Sequence, residues 1–213
     1  MDPASYDASY ATARGRWIGM AEFRLLSKLL QARRGDTLLD VGCGTGWFTR
    51  RFAEEGLLAT GLDPNPDWLA FAQVKGPPAI RWIVGDARAL PFPDRSFDRV
   101  VSVAALCFVE EERQAVAEIV RVTRRRFAIG WLNRTSLLYR QKGRGGGSGA
   151  YRGTRWHQPR EVLDFFSGLR VRRLAVHSAI FLPSGNRVAQ TMERVLPHTL
   201  PWGGLVVISG EVG

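Results

Sequence analysis

The chain has 213 residues, 45% of them hydrophobic, which is enough to bury a complete α/β core without help from metals or disulfides. It carries a formal charge of +10 and only two cysteines, Cys43 and Cys107, which excludes a disulfide-framed secreted scaffold and fits reduced thiols in a cytoplasmic protein. The opening Met1-Asp-Pro-Ala is acidic and polar, with no apolar h-region behind it. The longest apolar run, around Val100 to Val109, is far too short to span a bilayer.

Taken in order, residues 1–16 read as an N-terminal arm with tyrosines at Tyr6 and Tyr10, and Trp17 to Ala32 reads as a helix leading into the first strand. Leu38, Leu39 and Val41 suit a strand buried on both faces. Asp40 lies within it, and Gly42, Cys43, Gly44 and Gly46 follow as a loop that allows a tight turn and close approach by a ligand. Trp47 to Glu55 then reads as a helix whose N-terminal amides face that ligand. A dinucleotide loop, G-x-G-x-x-G, would place its third glycine one residue later, where this chain has the bulky Trp47. A nicotinamide oxidoreductase is therefore disfavoured.

Leu57 to Leu62 reads as a second strand ending in Asp63, roughly 20 residues past the loop, where a carboxylate can accept both hydroxyls of a ribose. A turn acid ahead of Pro64 explains the same residue equally well. Asn65, Pro66 and Asp67 are an N-cap, a first-turn proline and a first-turn acid opening a helix through Lys75. A short apolar strand from Ile80 ends in Gly85-Asp86-Ala87, ahead of Leu90-Pro-Phe-Pro-Asp-Arg-Ser-Phe-Asp98 and a fourth strand, Arg99 to Val103.

These motifs resemble the class I S-adenosylmethionine (SAM) methyltransferases, in particular the group of the ubiquinone and menaquinone C-methyltransferases. D-x-G-x-G-x-G resembles their motif I, and G-D-A followed by L-P-F-x-D-x-S-F-D resembles their motif II region. The resemblance covers residues 37–122 well and the rest in outline. It implies a doubly wound, seven-stranded, mostly parallel sheet with a C-terminal antiparallel hairpin, and SAM as cofactor with S-adenosylhomocysteine as product. By the same resemblance Asp40 to Gly46 curl around the methionine end, Asp63 and Pro64 sit at the ribose, and Asp86 and Ala87 meet the adenine. Phe108 takes the slot of a His or aromatic beside the methionine end. Tyr10 belongs to an arm that covers the cofactor in related enzymes, although an unstructured tail is equally compatible with the sequence. Glu110 to Thr123 matches the family's next helix, with Glu118, Arg121 and Val122 matching its E-x-x-R-V ending. Relatives continue with Pro-Gly-Gly, whereas this chain has Thr123-Arg-Arg-Arg126, so the turn before Phe127 to Leu132 must be built differently.

Beyond the fifth strand, Pro159 to Ser167 reads as a helix, Leu169 to Phe181 as an alternating strand, Asn186 to Val195 as a helix and Leu205 to Val212 as a last strand. One domain is expected across residues 1–213. Charge is concentrated in the second half: residues 121–173 hold 13 Arg and one Lys against Glu161 and Asp164, a local +12, while the remainder sums to −2. Within it, residues 133–157 form a basic, glycine-rich loop with aromatics, which reads as an acceptor lid or as a solvated insertion. A small anionic acceptor fits such a lid. RNA fits the same charge, but the family resemblance favours small molecules, and a catalytically silent SAM-binding protein stays open. No metal-ligand spacing occurs. Of the histidines, His157 in the loop is either a general base or structural, while His177 and His198 read as structural. The accepting atom and the oligomeric state are not legible.

Overall fold

The computed structural model describes residues 2–213, so that Met1 of the N-terminal arm lies outside the described residues. Seven strands form one sheet: β1 (Thr37–Val41), β2 (Leu58–Asp63), β3 (Arg81–Val84), β4 (Phe97–Val103), β5 (Thr123–Leu132), β6 (Val171–Ala179) and β7 (Leu205–Val212). Their order is β3-β2-β1-β4-β5-β7-β6. Pairings are parallel from β3 through β5, and β7 runs antiparallel to both β5 and β6. The doubly wound sheet with a C-terminal hairpin is thus present as expected.

β1 and β4 are buried along nearly their whole length, because helices cover both faces of the parallel part of the sheet. The helices are α1 (Pro3–Ser9), α2 (Ala13–Leu30), α3 (Trp47–Glu54), α4 (Pro66–Lys75), α5 (Glu112–Val122), α6 (Leu137–Lys142), α7 (Pro159–Asp164) and α8 (Arg187–Val195). One core layer packs Leu26, Leu30 and Phe52 against Leu38 and Val101, and the other packs Val116 and Ile119 against Val100 and Phe127.

Two local features differ from what periodicity alone suggests. The arm is helical: the Asp2 side chain accepts from the Ser5 N–H at 2.9 Å and Pro3 opens α1. α2 begins at Ala13 rather than Trp17, since the Thr12 hydroxyl accepts from the Gly15 N–H at 3.0 Å and extends the helix by a turn. The missing Pro-Gly-Gly turn is replaced by no turn at all. α5 runs straight into β5, and the Thr123 hydroxyl donates back to the Ile119 carbonyl at 2.6 Å. The arginines after it become strand residues, Arg124 and Arg125 pairing with Asp98 at 3.1 and 3.4 Å and Arg126 with Glu211.

The strand order reverses between β1 and β4, and in such sheets the ligand crevice opens at the carboxyl ends of the strands there. Among the described residues no helix is long and apolar enough to cross a membrane.

Candidate cofactor and acceptor site

A cavity of about 1210 Å³ lies at that switch point, lined by the residues that end β1, β2, β3 and β4. Its floor is the glycine loop. The Gly42 and Cys43 N–H groups donate to the Leu62 carbonyl at 2.7 and 3.0 Å, and the Gly44 N–H donates to Asp63 Oδ2 at 2.8 Å. The loop is therefore clamped to the end of β2 before any ligand arrives. Gly42 has φ +73°, and a Cβ there would stand 2.3 Å from that of Ala105, so only glycine fits between the loops after β1 and β4.

Asp40, 2% exposed, points one carboxylate oxygen at the Thr49 hydroxyl, 2.6 Å away, and also lines the cavity. Burial, with the nearby Asp63 charge, pushes its pKa up to about 7. Asp63 accepts from the Asn65 N–H at 3.0 Å as well as from Gly44, and burial raises its pKa too. Pro64 follows it along the wall. Asp86 and Ala87 form the far wall, where Arg88 closes on Asp86: its backbone N–H donates to Oδ1 at 2.8 Å and its guanidinium reaches Oδ2 at 2.6 Å. The same guanidinium reaches Glu111, also at 2.6 Å, so the acid keeps only its outer edge for a ligand. Arg88 holds the Asp86 carboxyl below the usual carboxylate range.

Tyr10 closes the other side, stacked on Trp47 with centroids 4.5 Å apart and its hydroxyl 3.4 Å from that of Tyr6. Tyr6 in turn packs on Trp68, and Asp7 pairs with Arg50 at 3.0 Å, which fixes α1 across the glycine loop. The arm is thus a wall of the cavity and not a free tail. Phe108, 60% exposed, stands at the mouth.

Several expected positions sit elsewhere. Gly46 does not line the cavity. It caps α3 with φ +73°, and a Cβ there would meet Trp82 at 2.4 Å, so its role is to admit that ring beneath the loop. Cys107, the other reduced thiol, is buried and does not line the cavity, accepting from the Leu132 N–H at 3.3 Å with its thiol pushed up to about 12 by burial. Cys43 is in the wall, its thiol raised well above the ordinary value by burial. His157 is away from the cavity, its Nε2 2.9 Å from Glu112, so a base role there has no access to the cavity.

The basic segment is also redirected. Of its fourteen cationic side chains only Arg152 lines the cavity. Seven others are tied into ion pairs, Arg121, Arg124, Arg125, Arg126, Arg134, Arg155 and Arg173. The charge that suggested an anionic acceptor, or RNA, therefore does not face the site. The glycine-rich stretch itself is tethered at its base by the Asn133–His157 bridge and by buried Trp156, which touches Tyr139 and Tyr151 at centroid distances of 5.3 and 5.6 Å. Tyr151 reaches the cavity wall.

Four further wall residues were not singled out from sequence. Thr45 lines the cavity with a buried hydroxyl that has no partner among the described residues. Gly15, Ile18 and Glu22 face it from α2, at a spacing of three and four that places them on one helical stripe. That stripe was the available clue, hidden because Gly15 falls in the residues read as an arm and Ile18 and Glu22 in a helix for which no cavity-facing side was assigned.

Residues 39–126 match the model of the methyltransferase domain family. Over these residues the chain carries a methyltransferase domain, in the fold of the class I SAM-dependent methyltransferases. A malonyl-(acyl-carrier protein) O-methyltransferase of Serratia marcescens is 35% identical over 123 residues, 56% of this chain and 44% of that protein. A demethylmenaquinone methyltransferase of Renibacterium salmoninarum is 40% identical over 101 residues, 47% of this chain and 42% of that protein. The matched stretch thus spans less than half the length of these relatives. Among solved structures, a SAM-dependent methyltransferase of Thermotoga maritima superposes with a TM-score of 0.78 at 22% identity, covering 99% of this chain and 96% of that one. Magnesium protoporphyrin IX methyltransferase of Synechocystis, solved with S-adenosylhomocysteine, gives a TM-score of 0.64 at 16% identity, covering 93% of this chain and 87% of that one. These likenesses establish the domain's fold.

Proposed function

We propose that the protein transfers the methyl group of SAM to a small acceptor bound in this cavity, beside the sulfur. The observation that carries the reading is the convergence of Asp40, Asp63 and Asp86, one from each of three consecutive strand ends, on a single cavity floored by the glycine loop. In this reading Asp63 takes the ribose hydroxyls, Asp86 and the Ala87 backbone take the adenine, and Asp40 with Gly42 to Gly44 takes the methionine end. Thr45 offers its unpaired hydroxyl to the same end. Residues 1–213 act together as one domain, because α1 and the 133–157 loop both supply walls of the one cavity.

The cofactor supplies an electrophilic methyl on a sulfonium, and the protein's work is alignment and exclusion of water. Tyr10 and Trp47 cover one side, and Tyr151 covers the other. The two named relatives act on a malonyl carrier protein and on a demethylmenaquinone, so relatives do not fix the acceptor. An anionic acceptor has only Arg14 and Arg152 to meet it at the wall, with Arg88 spent on Asp86 and Glu111. The test is calorimetric titration with S-adenosylhomocysteine. Hydrogen bonds to a carboxylate are each worth about 1.5–3 kcal/mol, and Asp63→Ala loses the two that the ribose hydroxyls would donate and frees the glycine loop. Affinity should fall by about a hundredfold or more. Absence of binding by the wild type, or an unchanged Asp63→Ala, refutes the assignment.

A further inference from the structure

Of the cavity-wall acids that the cofactor reading leaves unused, Glu110 is exposed, whereas Glu22 is half-buried on α2 and without a partner. Asp40 and Asp63 carry hydrogen bonds from the glycine loop and α3, and Asp86 is forked by Arg88, but among the described residues nothing hydrogen-bonds or pairs with the Glu22 carboxyl. It stands on α2 one turn beyond Ile18, facing the cavity. Its surroundings differ from those of the loop acids. Burial is the largest cause of the raised pKa in both Asp40 and Glu22, with Asp63 adding to it at the first and Glu193 of α8 at the second.

The groups that face Glu22 come from four elements. Tyr6 of α1, Tyr10 just after it and Tyr151 from the 133–157 loop line the same cavity as Glu22, whose charge helps to raise the pKa of each hydroxyl, burial being the larger cause. Glu193 supplies a second negative charge, already committed to the N–H groups of Ile180 and Phe181 at 2.9 and 3.0 Å. Arg14 of α2 also lines the cavity, and its Nε donates to the Pro183 carbonyl at 2.6 Å. Burial with Glu193 raises the Glu22 pKa to about 8. A half-buried carboxyl without an ion-pair partner among the described residues, in a cavity wall it shares with three tyrosines, has the complement of an ammonium: the charge is paired and the ring faces add cation–π attraction.

We propose that the methyl acceptor is a small amine, whose ammonium pairs with the Glu22 carboxylate between Tyr6, Tyr10 and Tyr151. The ammonium hydrogen passes to the Glu22 carboxylate, which frees the nitrogen lone pair. That pair forms the new C–N bond while the methyl C–S bond breaks, leaving its electrons on sulfur as the neutral thioether. The proton on Glu22 then leaves to solvent with the product. This rests on the SAM reading above, and the first titration below separates the two.

The experiment uses the full chain, first titrated with S-adenosylhomocysteine and then, saturated with it, with three matched probes: 2-phenylethylamine, 3-phenylpropanoate and 2-phenylethanol. The amine is expected to bind at least tenfold more tightly than either counterpart. Its affinity should rise from pH 6 to pH 8.5 as Glu22 ionises. Glu22→Gln should cost the amine at least tenfold and flatten that pH dependence, with Glu22→Asp intermediate, while S-adenosylhomocysteine affinity stays within threefold of wild type. Amine-dependent release of S-adenosylhomocysteine from SAM should fall at least a hundredfold in Glu22→Gln. Tyr151→Leu should weaken amine binding severalfold, an independent check should Glu22→Gln fold poorly. Equal or tighter binding of the carboxylate, or amine binding and turnover unchanged in Glu22→Gln, overturns the proposal. Failure of the wild type to bind S-adenosylhomocysteine appears in the first titration and overturns the cofactor reading itself, and the proposal with it.

Discussion

Asp40→Asn should make the free protein more stable and at the same time a poorer binder of SAM. Asp40 is 2% exposed, and its pKa is raised from 3.8 to about 7, burial being the largest cause. An acid raised in this way binds its proton more tightly folded than unfolded. Its contribution is therefore fully favourable below about pH 4 and is lost as pH rises toward 7. A shift from 3.8 to about 7 corresponds to about 4 kcal/mol, and about half of that is already lost at pH 5.5 by the same linkage. The asparagine side chain is neutral and can still accept from the Thr49 hydroxyl, which sits 2.6 Å from the carboxylate. Substitution should therefore stabilise the protein at both pH values, by about 2 kcal/mol more at pH 8.5 than at pH 5.5. Glu22 and the other groups not coupled to Asp40 titrate alike in both proteins and cancel in the difference. Urea unfolding at the two pH values measures it, and titration with SAM measures the cost, expected to exceed tenfold because the ammonium of the methionine end loses its charged partner. A less stable Asp40→Asn at pH 8.5, or a stability difference that does not grow with pH, would refute the reasoning.

Other perturbations follow from particular contacts. Gly46→Ala places a Cβ 2.4 Å from the Trp82 ring at φ +73°, and should destabilise by about 2 kcal/mol in thermal unfolding. Arg121 pairs with Glu118 at 2.7 Å and Asp94 at 2.8 Å and donates to the Leu90 and Phe92 carbonyls, which fixes the loop after Asp86. Arg121→Ala should cost about 2 kcal/mol and weaken S-adenosylhomocysteine severalfold in the same titration, whereas a purely surface role would leave binding untouched. Trp156→Ala should cost about 3 kcal/mol, and hydrogen exchange should then report faster opening of residues 137–155 because Tyr139 and Tyr151 lose their common anchor.

Local rules carried much of this protein. The buried runs of β1 and β4, the positive-φ glycines after Asp40, the Asn65 cap and the acids ending successive strands are properties of short segments, so their place in a doubly wound sheet is written in the residues themselves. The E-x-x-R-V ending was likewise legible, although its work, clamping the loop after Asp86, needs the loop beside it.

Side-chain direction across long separations was decided only by the tertiary structure. Residues 121–173 read as one basic block, yet packing sends Arg124, Arg125 and Arg126 to Asp98 and Glu211 and leaves Arg152 alone at the cavity, because strand registry, not composition, sets which way each points. Gly46 shares its motif with Gly44 but serves Trp82, and Cys107 turns inward beside Leu132. Glu22 looks like an ordinary helix acid until α1, α8 and the Tyr151 loop close around it. Its lack of a partner is a property of the assembled cavity: short segments of sequence specify the glycine loop and the acids around it, and the packing of distant elements specifies what stands opposite them.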